Sequence, residues 1–213
     1  MQLSLQLSFS KLFPGLVPLF IAGVLLSGSA EAAGSAEAGK TKSVTCSACH
    51  GMDGNSLNPE WPTIAGQHES YLIKALNSFK SGERQNVLMS GMAMPLSDED
   101  IKDLAAYFSE QKRAPNVADP ALVVAGERLY RGGNTDTGVP ACLACHGPAG
   151  RGNPPAVWPT IAGQHAPYAA TQLKAYRSKE RSTDGDTQMM RNVSAMLTDD
   201  EIKSVTSYIQ GLR

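Results

Sequence analysis

The chain carries almost no net charge. Its 213 residues hold 19 Lys and Arg against 20 Asp and Glu, a formal charge of -1 at pH 7, whereas nucleic-acid-binding domains present a basic surface. We therefore expect no nucleic-acid partner. With 13 prolines and 20 glycines, the composition suits one medium domain or two small ones rather than a disordered or fibrous protein.

A run of apolar residues long enough to span a membrane is also missing. The most apolar segment, Leu12–Leu26, follows Lys11, contains Pro14 and Pro18, and precedes a stretch of small residues. It is short for a transmembrane helix, which needs about 20 apolar residues, so a retained transmembrane anchor is the less favoured alternative. A basic residue, an apolar run and small residues in this order are typical of a secretory signal. We predict a signal peptide over residues 1–33 and export of the remainder.

Cysteine is scarce, but its placement is informative. In an exported chain, four cysteines suggest disulfides first. Here they form two Cys-x-x-Cys-His sequences: Cys46, Cys49 and His50, then Cys142, Cys145 and His146. This pattern is the attachment signal of c-type haem, because two thiols about one turn apart reach one porphyrin edge and the imidazole meets the iron. We expect two covalent haem c groups. A disulfide or zinc module, which would be colourless, is the alternative.

An internal repeat organises the chain. The segment Trp61–His68 returns unchanged as Trp158–His165, 97 positions later. Between the copies, Arg113–Pro120 has two prolines, polar residues and no apolar periodicity, as expected of a linker. The repeat predicts two homologous domains, 34–115 and 116–213.

Helical periodicity dominates both halves. Tyr71, Leu72 and Phe79 share one helical face, and the second copy repeats the pattern. Ser97 with Asp100, and correspondingly Thr198 with Glu201, are predicted capping boxes of the last helix in each half. No alternation typical of strands is present. We predict an all-α fold of two tandem domains, each wrapped around one covalent haem.

The sixth ligand of each iron distinguishes an electron carrier from a catalyst, because methionine closes the site. The candidates are Met89, Met92 and Met94 in the first half and Met189, Met190 and Met196 in the second. The register of the C-terminal repeats places Met89 on Met190, and this is the only position with methionine in both copies. Met94, which precedes a proline, remains the rival in the first half.

Two further repeated positions have predicted roles. A loop carbonyl at Pro62 and at Pro159 is expected to accept a hydrogen bond from the iron-ligating imidazole. His68 and His165 offer an alternative bis-histidine ligation, although they follow His50 by only 18 and His146 by only 19 positions. Their other interpretation is as histidines at a turn or helix entry.

The sequence resembles the dihaem cytochrome c4 family. The resemblance rests on the two Cys-x-x-Cys-His sequences, the repeated Pro-Thr-Ile-Ala-Gly-Gln, the run Arg131–Gly133 and the C-terminal segment Ser207–Leu212. It implies two class I cytochrome c domains with His/Met ligation, in which Met89 and Met190 match the family's ligands and Pro62 and Pro159 its supporting prolines. It also implies that the haem propionate edges face each other across the domain interface.

The same resemblance implies a periplasmic electron carrier, loosely associated with the membrane surface. Its expected partners are a quinol-oxidising complex and a haem-copper terminal oxidase. Two alternatives remain open. One is the dihaem subunit of a dehydrogenase, such as a flavocytochrome c sulfide dehydrogenase. The other is a dihaem enzyme, such as a peroxidase or a thiosulfate dehydrogenase, in which one matched methionine is not a ligand.

Overall fold

Ten α-helices form in the part of the chain that the computed structural model describes, residues 33–213. In chain order they are α1 Ala36–Lys42, α2 Val44–His50, α3 Glu69–Ser81, α4 Val87–Ala93, α5 Asp98–Glu110, α6 Val123–Gly132, α7 Leu143–His146, α8 Ala166–Arg177, α9 Met189–Ala195 and α10 Asp199–Gly211. Helices α1 to α5 and α6 to α10 follow the two copies of the repeat. Apart from Ala33, the predicted signal peptide lies outside the described residues.

The first and last helices of each half cross at a glycine. Gly39 of α1 lies against α5, and Gly126 of α6 lies against α10. A β-carbon at Gly39 would lie 2.0 Å from the carbonyl oxygen of Asp103, and one at Gly126 would lie 2.3 Å from that of Ser204. The two backbones therefore approach more closely than any side chain permits. This crossing fixes the direction in which α5 and α10 present their apolar faces.

The predicted capping boxes are present at the starts of α5 and α10. Ser97 Oγ accepts from the N–H of Asp100, whose carboxylate accepts in return from the N–H of Ser97. Thr198 and Glu201 make the same exchange. Such caps satisfy orphan N–H groups and contribute about 0.5–2 kcal/mol each. The predicted starts of both C-terminal helices are thus confirmed.

Each half has its own apolar core, and the first is smaller. The buried cluster of the first half is Leu72, Leu104, Ala105 and Phe108. That of the second half is Leu129, Tyr130, Val139, Leu197, Ile202, Val205, Tyr208 and Ile209. Domains of this size bury little surface on their own, so a bound apolar group adds needed volume.

Residues 33–213 contain no β-strand, only isolated bridges between Asn134 and Val139 and between Asn153 and Trp158. Within the same range, no helix has the length and apolar character required to cross a bilayer.

Candidate functional site

The two Cys-x-x-Cys-His sequences lie at the short helices α2 and α7, and each helix ends at its histidine. All four cysteines are unpaired. Burial raises the pKa of Cys46, and it raises that of Cys142 to about 11. A raised pKa disfavours the thiolate, which is the form of cysteine that binds zinc. Residues 33–213 also hold no group of three His, Cys, Asp or Glu side chains placed for a metal ion, so the zinc alternative has no ligand set there.

Each histidine of these sequences is buried and held by the carbonyl of a proline. His50 Nδ1 donates to the carbonyl oxygen of Pro62 at 2.8 Å, and His146 Nδ1 donates to that of Pro159 at 3.1 Å. Because a carbonyl can only accept, Nδ1 carries the proton and Nε2 keeps its lone pair. The structure thus makes both histidine–proline pairs that the sequence suggested.

The electrostatics of both histidines favour the neutral ring. Burial lowers the pKa of His50 and of His146, while the proline carbonyl acts in the opposite direction. A neutral imidazole with a fixed ring and a free Nε2 is the form that binds iron, and a hydrogen bond at Nδ1 increases its basicity. With one thiol four residues before each histidine and one directly before it, within or at the start of the same helix, the donor set of each half fits a covalent haem.

Four of the six candidate methionines lie within two short helices, and Met94 and Met196 are the residues that directly follow those helices. Met89 is within α4, where its N–H donates to Asn86 Oδ1 at 2.9 Å. Met190 is within α9, whose first residue, Met189, brings its Sδ to 3.9 Å from Cys145 Sγ. The start of α9 therefore lies beside the thiol of Cys145. Met94, at the end of α4, is 66% exposed.

The histidines of the repeated octapeptide connect the two halves. His68 and His165 are the N-cap residues of α3 and α8. His68 Nε2 donates to the carbonyl oxygen of Arg151 at 2.6 Å, and His165 Nε2 donates to that of Ser56 at 2.9 Å. Each ring thus uses its Nε2 in a hydrogen bond to the main chain of the opposite half, which gives these histidines a role at the domain interface.

Two buried glutamines form the centre of the same interface. Gln67 Nε2 donates to the carbonyl oxygen of Thr160 at 2.9 Å, and its Oε1 accepts from the N–H of Thr160 at 3.0 Å. Gln164 makes the same pair with Thr63, at 2.9 and 3.0 Å. The repeat relates both partners by 97 positions, so the interface is reciprocal. Sequence reasoning missed this role, although a repeated polar residue in an otherwise apolar segment is a usable signal.

Arg113, the first residue of the linker segment, also connects the two halves. Arg113 donates from Nε to the carbonyl oxygen of Ala65 at 2.9 Å and from Nη1 to that of Ala162 at 2.7 Å. Burial lowers its pKa to about 10. One side chain thus holds the equivalent turns of both halves.

Comparison with known proteins gives consistent results. A family model described as cytochrome c matches residues 36–112 and again residues 123–213. Cytochrome c4 of Stutzerimonas stutzeri is 50% identical over 196 residues, 88% of this chain and 93% of that protein. A thiosulfate dehydrogenase electron acceptor of Thiomonas intermedia is 37% identical over 173 residues, 79% of this chain and 78% of that protein. The crystal structure of reduced recombinant cytochrome c4 from Pseudomonas stutzeri aligns with a TM-score of 0.83 at 50% identity, covering 85% of this chain and 100% of the other.

Each family-model match contains one Cys-x-x-Cys-His sequence and one set of five helices. The predicted all-α fold of two cytochrome c domains is therefore confirmed, as is the prediction of two haem groups. The chain belongs to the cytochrome c family and, within it, to the cytochromes c4, electron carriers with two covalently bound haem c groups.

Proposed function

We propose that each half attaches one haem c through its two cysteines and binds the iron between one histidine and one methionine. The first set is Cys46, Cys49, His50 and Met89, and the second is Cys142, Cys145, His146 and Met190. The bound haem supplies a reversible one-electron change at its iron. The observation that carries this assignment is the duplicated hydrogen bond from a buried histidine to a proline carbonyl, at Pro62 and Pro159.

The protein's own residues prepare each site for electron transfer. The proline carbonyls fix the imidazole plane, and burial keeps the ring neutral. A methionine on the other side closes the iron to substrates and raises its reduction potential. We place the domains at 34–115 and 116–213, which is supported by the end of α5 at Glu110 and the start of α6 at Val123.

Optical spectroscopy of the exported protein tests the ligand assignment. We expect two low-spin c-haems and a weak near-infrared band from methionine bound to ferric iron. Met89→Ala and Met190→Ala should each remove about half of that band, because each variant opens one of two equivalent sites. The neighbouring methionines supply matched controls, and Met94→Ala and Met189→Ala should leave the band unchanged. If a control variant loses the band instead, the methionine replaced in that variant is the ligand and the assignment is wrong.

The same spectrum distinguishes the carrier from a dihaem enzyme. An enzyme needs an open or unusually ligated iron, so its resting spectrum would contain a high-spin haem and peroxide would be turned over. A wild type with two low-spin haems and no peroxide-dependent turnover supports the carrier.

We further propose that the protein works in the periplasm, at most loosely associated with the membrane, between a quinol-oxidising complex and a haem-copper terminal oxidase. The predicted export signal and the similarity to cytochromes c4 support this placement. The 37% identity to a thiosulfate dehydrogenase electron acceptor favours a second donor, a dehydrogenase that oxidises a sulfur compound.

Donor and acceptor are tested with membranes from the source cells. The oxidised protein should be reduced on addition of quinol, and the reduced protein should be reoxidised by oxygen in a cyanide-sensitive reaction. Reduction by thiosulfate and a soluble extract, without quinol, would favour the second donor. A flavoprotein that co-purifies with the chain would instead indicate a dehydrogenase subunit.

A further inference from the structure

Helix α4 exposes an apolar face that carries no charge. Val87 is 91% exposed, Leu88 67% and Met94 66%. Gly91 lies between them along the same side of the helix, and a β-carbon there would meet nothing within 4 Å. Exposed apolar residues are ordinarily scattered singly over a protein surface, whereas a cluster of them marks an interaction site. The exposed face of α4 is such a cluster.

This face is separate from the side of α4 that holds the candidate iron ligand. A helix turns by about 100° per residue, which places Val87 and Met94 about 160° and 140° away from Met89 around the helix axis. A haem bound through Met89 therefore lies on the opposite side of the helix. Binding of the cofactor leaves Val87 and Met94 exposed.

The second half has no equivalent apolar face. Its helix α9 carries Gln188 where α4 has Val87, and Asn192 where α4 has Gly91. Both of these residues of α9 are exposed, so the corresponding surface is polar. Because the two halves are copies of one fold, this difference distinguishes the first half as the one that offers an apolar contact surface.

The connection that precedes α9 is also longer and is fastened to the helix. It runs over residues 178–188, whereas the connection before α4 runs over residues 82–86. Arg191 of α9 donates from its N–H and from Nε to the carboxylate of Asp184, at 2.9 and 2.7 Å. The first half has Ser90 at the position of Arg191, and its shorter connection leaves α4 open.

The apolar face lies toward the attachment point of the first haem. In the second half, Met189 brings its Sδ to 3.9 Å from Cys145 Sγ. Leu88 and Cys49 are the equivalent residues of the first half, and both are exposed. We therefore expect a protein that contacts Leu88 to lie beside the thiol at which the first haem is attached, where an electron has a short path to it.

The size and charge of the face indicate what binds there. Its apolar side chains present roughly 300 Å², whereas stable interfaces bury about 800 Å² per partner and transient electron-transfer contacts bury less. The face is therefore too small to hold a second copy of the chain stably. Residues 85–97 contain no Lys or Arg, which are the residues that attract a helix to an anionic lipid surface. A protein that binds briefly through an uncharged apolar surface fits both observations.

We propose that the exposed face of α4, formed by Val87, Leu88 and Met94, is the docking surface for a one-electron redox protein with an uncharged, apolar contact surface. This partner exchanges electrons with the haem of the first half rather than with that of the second. The proposal rests on the proposed function, because the electron passes to or from the covalently bound haem. One electron moves between the haem iron and the redox centre of the partner, so that one is oxidised as the other is reduced, and no atom or proton is transferred.

The test compares the wild type with Val87→Gln and with the double variant Val87→Gln, Leu88→Gln, in the exported protein loaded with both haems. Glutamine is the residue of the second half at the position of Val87, and it favours a helix more than valine does. Three rates are measured at low protein concentration: reduction by quinol with membranes of the source cells, reoxidation by oxygen with the same membranes, and reduction by thiosulfate with a soluble extract.

At least one of these rates should fall in the double variant by about fivefold or more. Loss of a central interface side chain costs more than 1 kcal/mol, which corresponds to about fivefold in the stability of the transient complex. Val87→Gln alone should produce a smaller loss of the same rate. The reduction potentials and the near-infrared methionine band should match the wild type, because the replaced side chains are not iron ligands.

Val124→Gln is the matched control. Val124 is 80% exposed on α6 of the second half, so the substitution changes the same side chain in a similar setting away from α4. All three rates should keep their wild-type values. Double-variant rates that equal those of the wild type would overturn the proposal, as would an equal loss in Val124→Gln.

Two further measurements examine the other possible occupants of this face. The wild type is sedimented with vesicles of phosphatidylethanolamine and phosphatidylglycerol, and its mass is measured by analytical ultracentrifugation across a range of concentration. It should remain in the supernatant and sediment as a monomer. Vesicle binding that the double variant loses would make a lipid surface the occupant, and a dimer that the double variant loses would make it a second copy; either result contradicts the proposal.

The proposed function and this proposal fail separately. A wild type without two low-spin haems refutes the function. A wild type with both haems and a double variant with unchanged rates refutes only the docking surface on α4.

Discussion

Replacing Gln67 by alanine should uncouple the two halves of the protein. Gln67 is 5% exposed, and its side-chain amide makes three hydrogen bonds. Two of them satisfy the N–H and the carbonyl of Thr160 in the other half. In the third, Gln67 Oε1 accepts from the N–H of His68. Alanine cannot replace any of them, so main-chain groups on both sides of the interface lose their partner.

The size of the effect follows from those orphaned groups. A buried polar group left without a hydrogen bond costs about 1–3 kcal/mol. The N–H and carbonyl of Thr160 both lose their Gln67 partner, and water that enters the space left by the side chain relieves part of the cost. We therefore expect Gln67→Ala to lower the free energy of unfolding by about 2–4 kcal/mol, a large share of a typical domain's stability.

Chemical denaturation of the haem-loaded protein, followed by circular dichroism and by haem absorbance, measures this change. The control is Gln111→Ala, which removes a single hydrogen bond within one half, from Gln111 Nε2 to the Tyr107 carbonyl oxygen at 2.7 Å. It should cost about 1 kcal/mol or less. The wild type should unfold in one transition and Gln67→Ala in two, as the halves separate. Equal losses for the two variants, with one transition in each, would refute the importance of the reciprocal interface.

Two further predictions concern the helix crossing of the second half and an ion pair of the first half. Gly126→Ala should lower the free energy of unfolding by about 1–3 kcal/mol because its β-carbon would clash with α10; Gly132→Ala, in the same helix with nothing within 4 Å, should leave stability unchanged or raise it by up to about 1 kcal/mol. The Asp103 carboxyl has a lowered pKa because Lys42 and the N–H of Ser35 donate to it. Its stabilising effect is therefore complete above the ordinary carboxyl pKa of about 4 and is lost as the pH falls further. Asp103→Asn should lower the thermal midpoint at pH 7, and the difference from the wild type should vanish in acid; a difference that persists below about pH 2 would contradict this explanation.

Local patterns made the helices predictable from the sequence. The apolar periodicity around Tyr71 and Phe79 indicated α3, and the Ser97 and Thr198 caps marked the starts of α5 and α10, because these signals depend only on residues a few positions apart. The offset between the two copies is 97 positions at Trp61 and 101 at Met89, and the extra residues of the second copy lie between α8 and α9. The haem attachment sequences could also be recognised locally, since two thiols and a histidine within five positions define their chemistry.

The interface could not be predicted in the same way. Nothing near Gln67 in the sequence shows that Thr160 lies opposite, because that contact depends on how two complete domains dock. Two buried arginines were overlooked for a related reason. Arginine is usually exposed, and only the packed structure shows that Arg84 and Arg181 are enclosed. The methionine helices α4 and α9 were too short for periodicity to reveal, although the repeat did align Met89 with Met190.

The reciprocal contacts have the symmetry of a twofold homodimer, in which each subunit offers the same patch to the other. Here the segment Arg113–Pro120 joins the two patches in one chain, which turns an association of two molecules into an event within one molecule. A short tether raises the effective concentration of the second patch to the millimolar range. The pairing of the two halves therefore does not weaken on dilution. The two haems should remain a fixed electron-exchanging pair at nanomolar concentration as well as in concentrated solution.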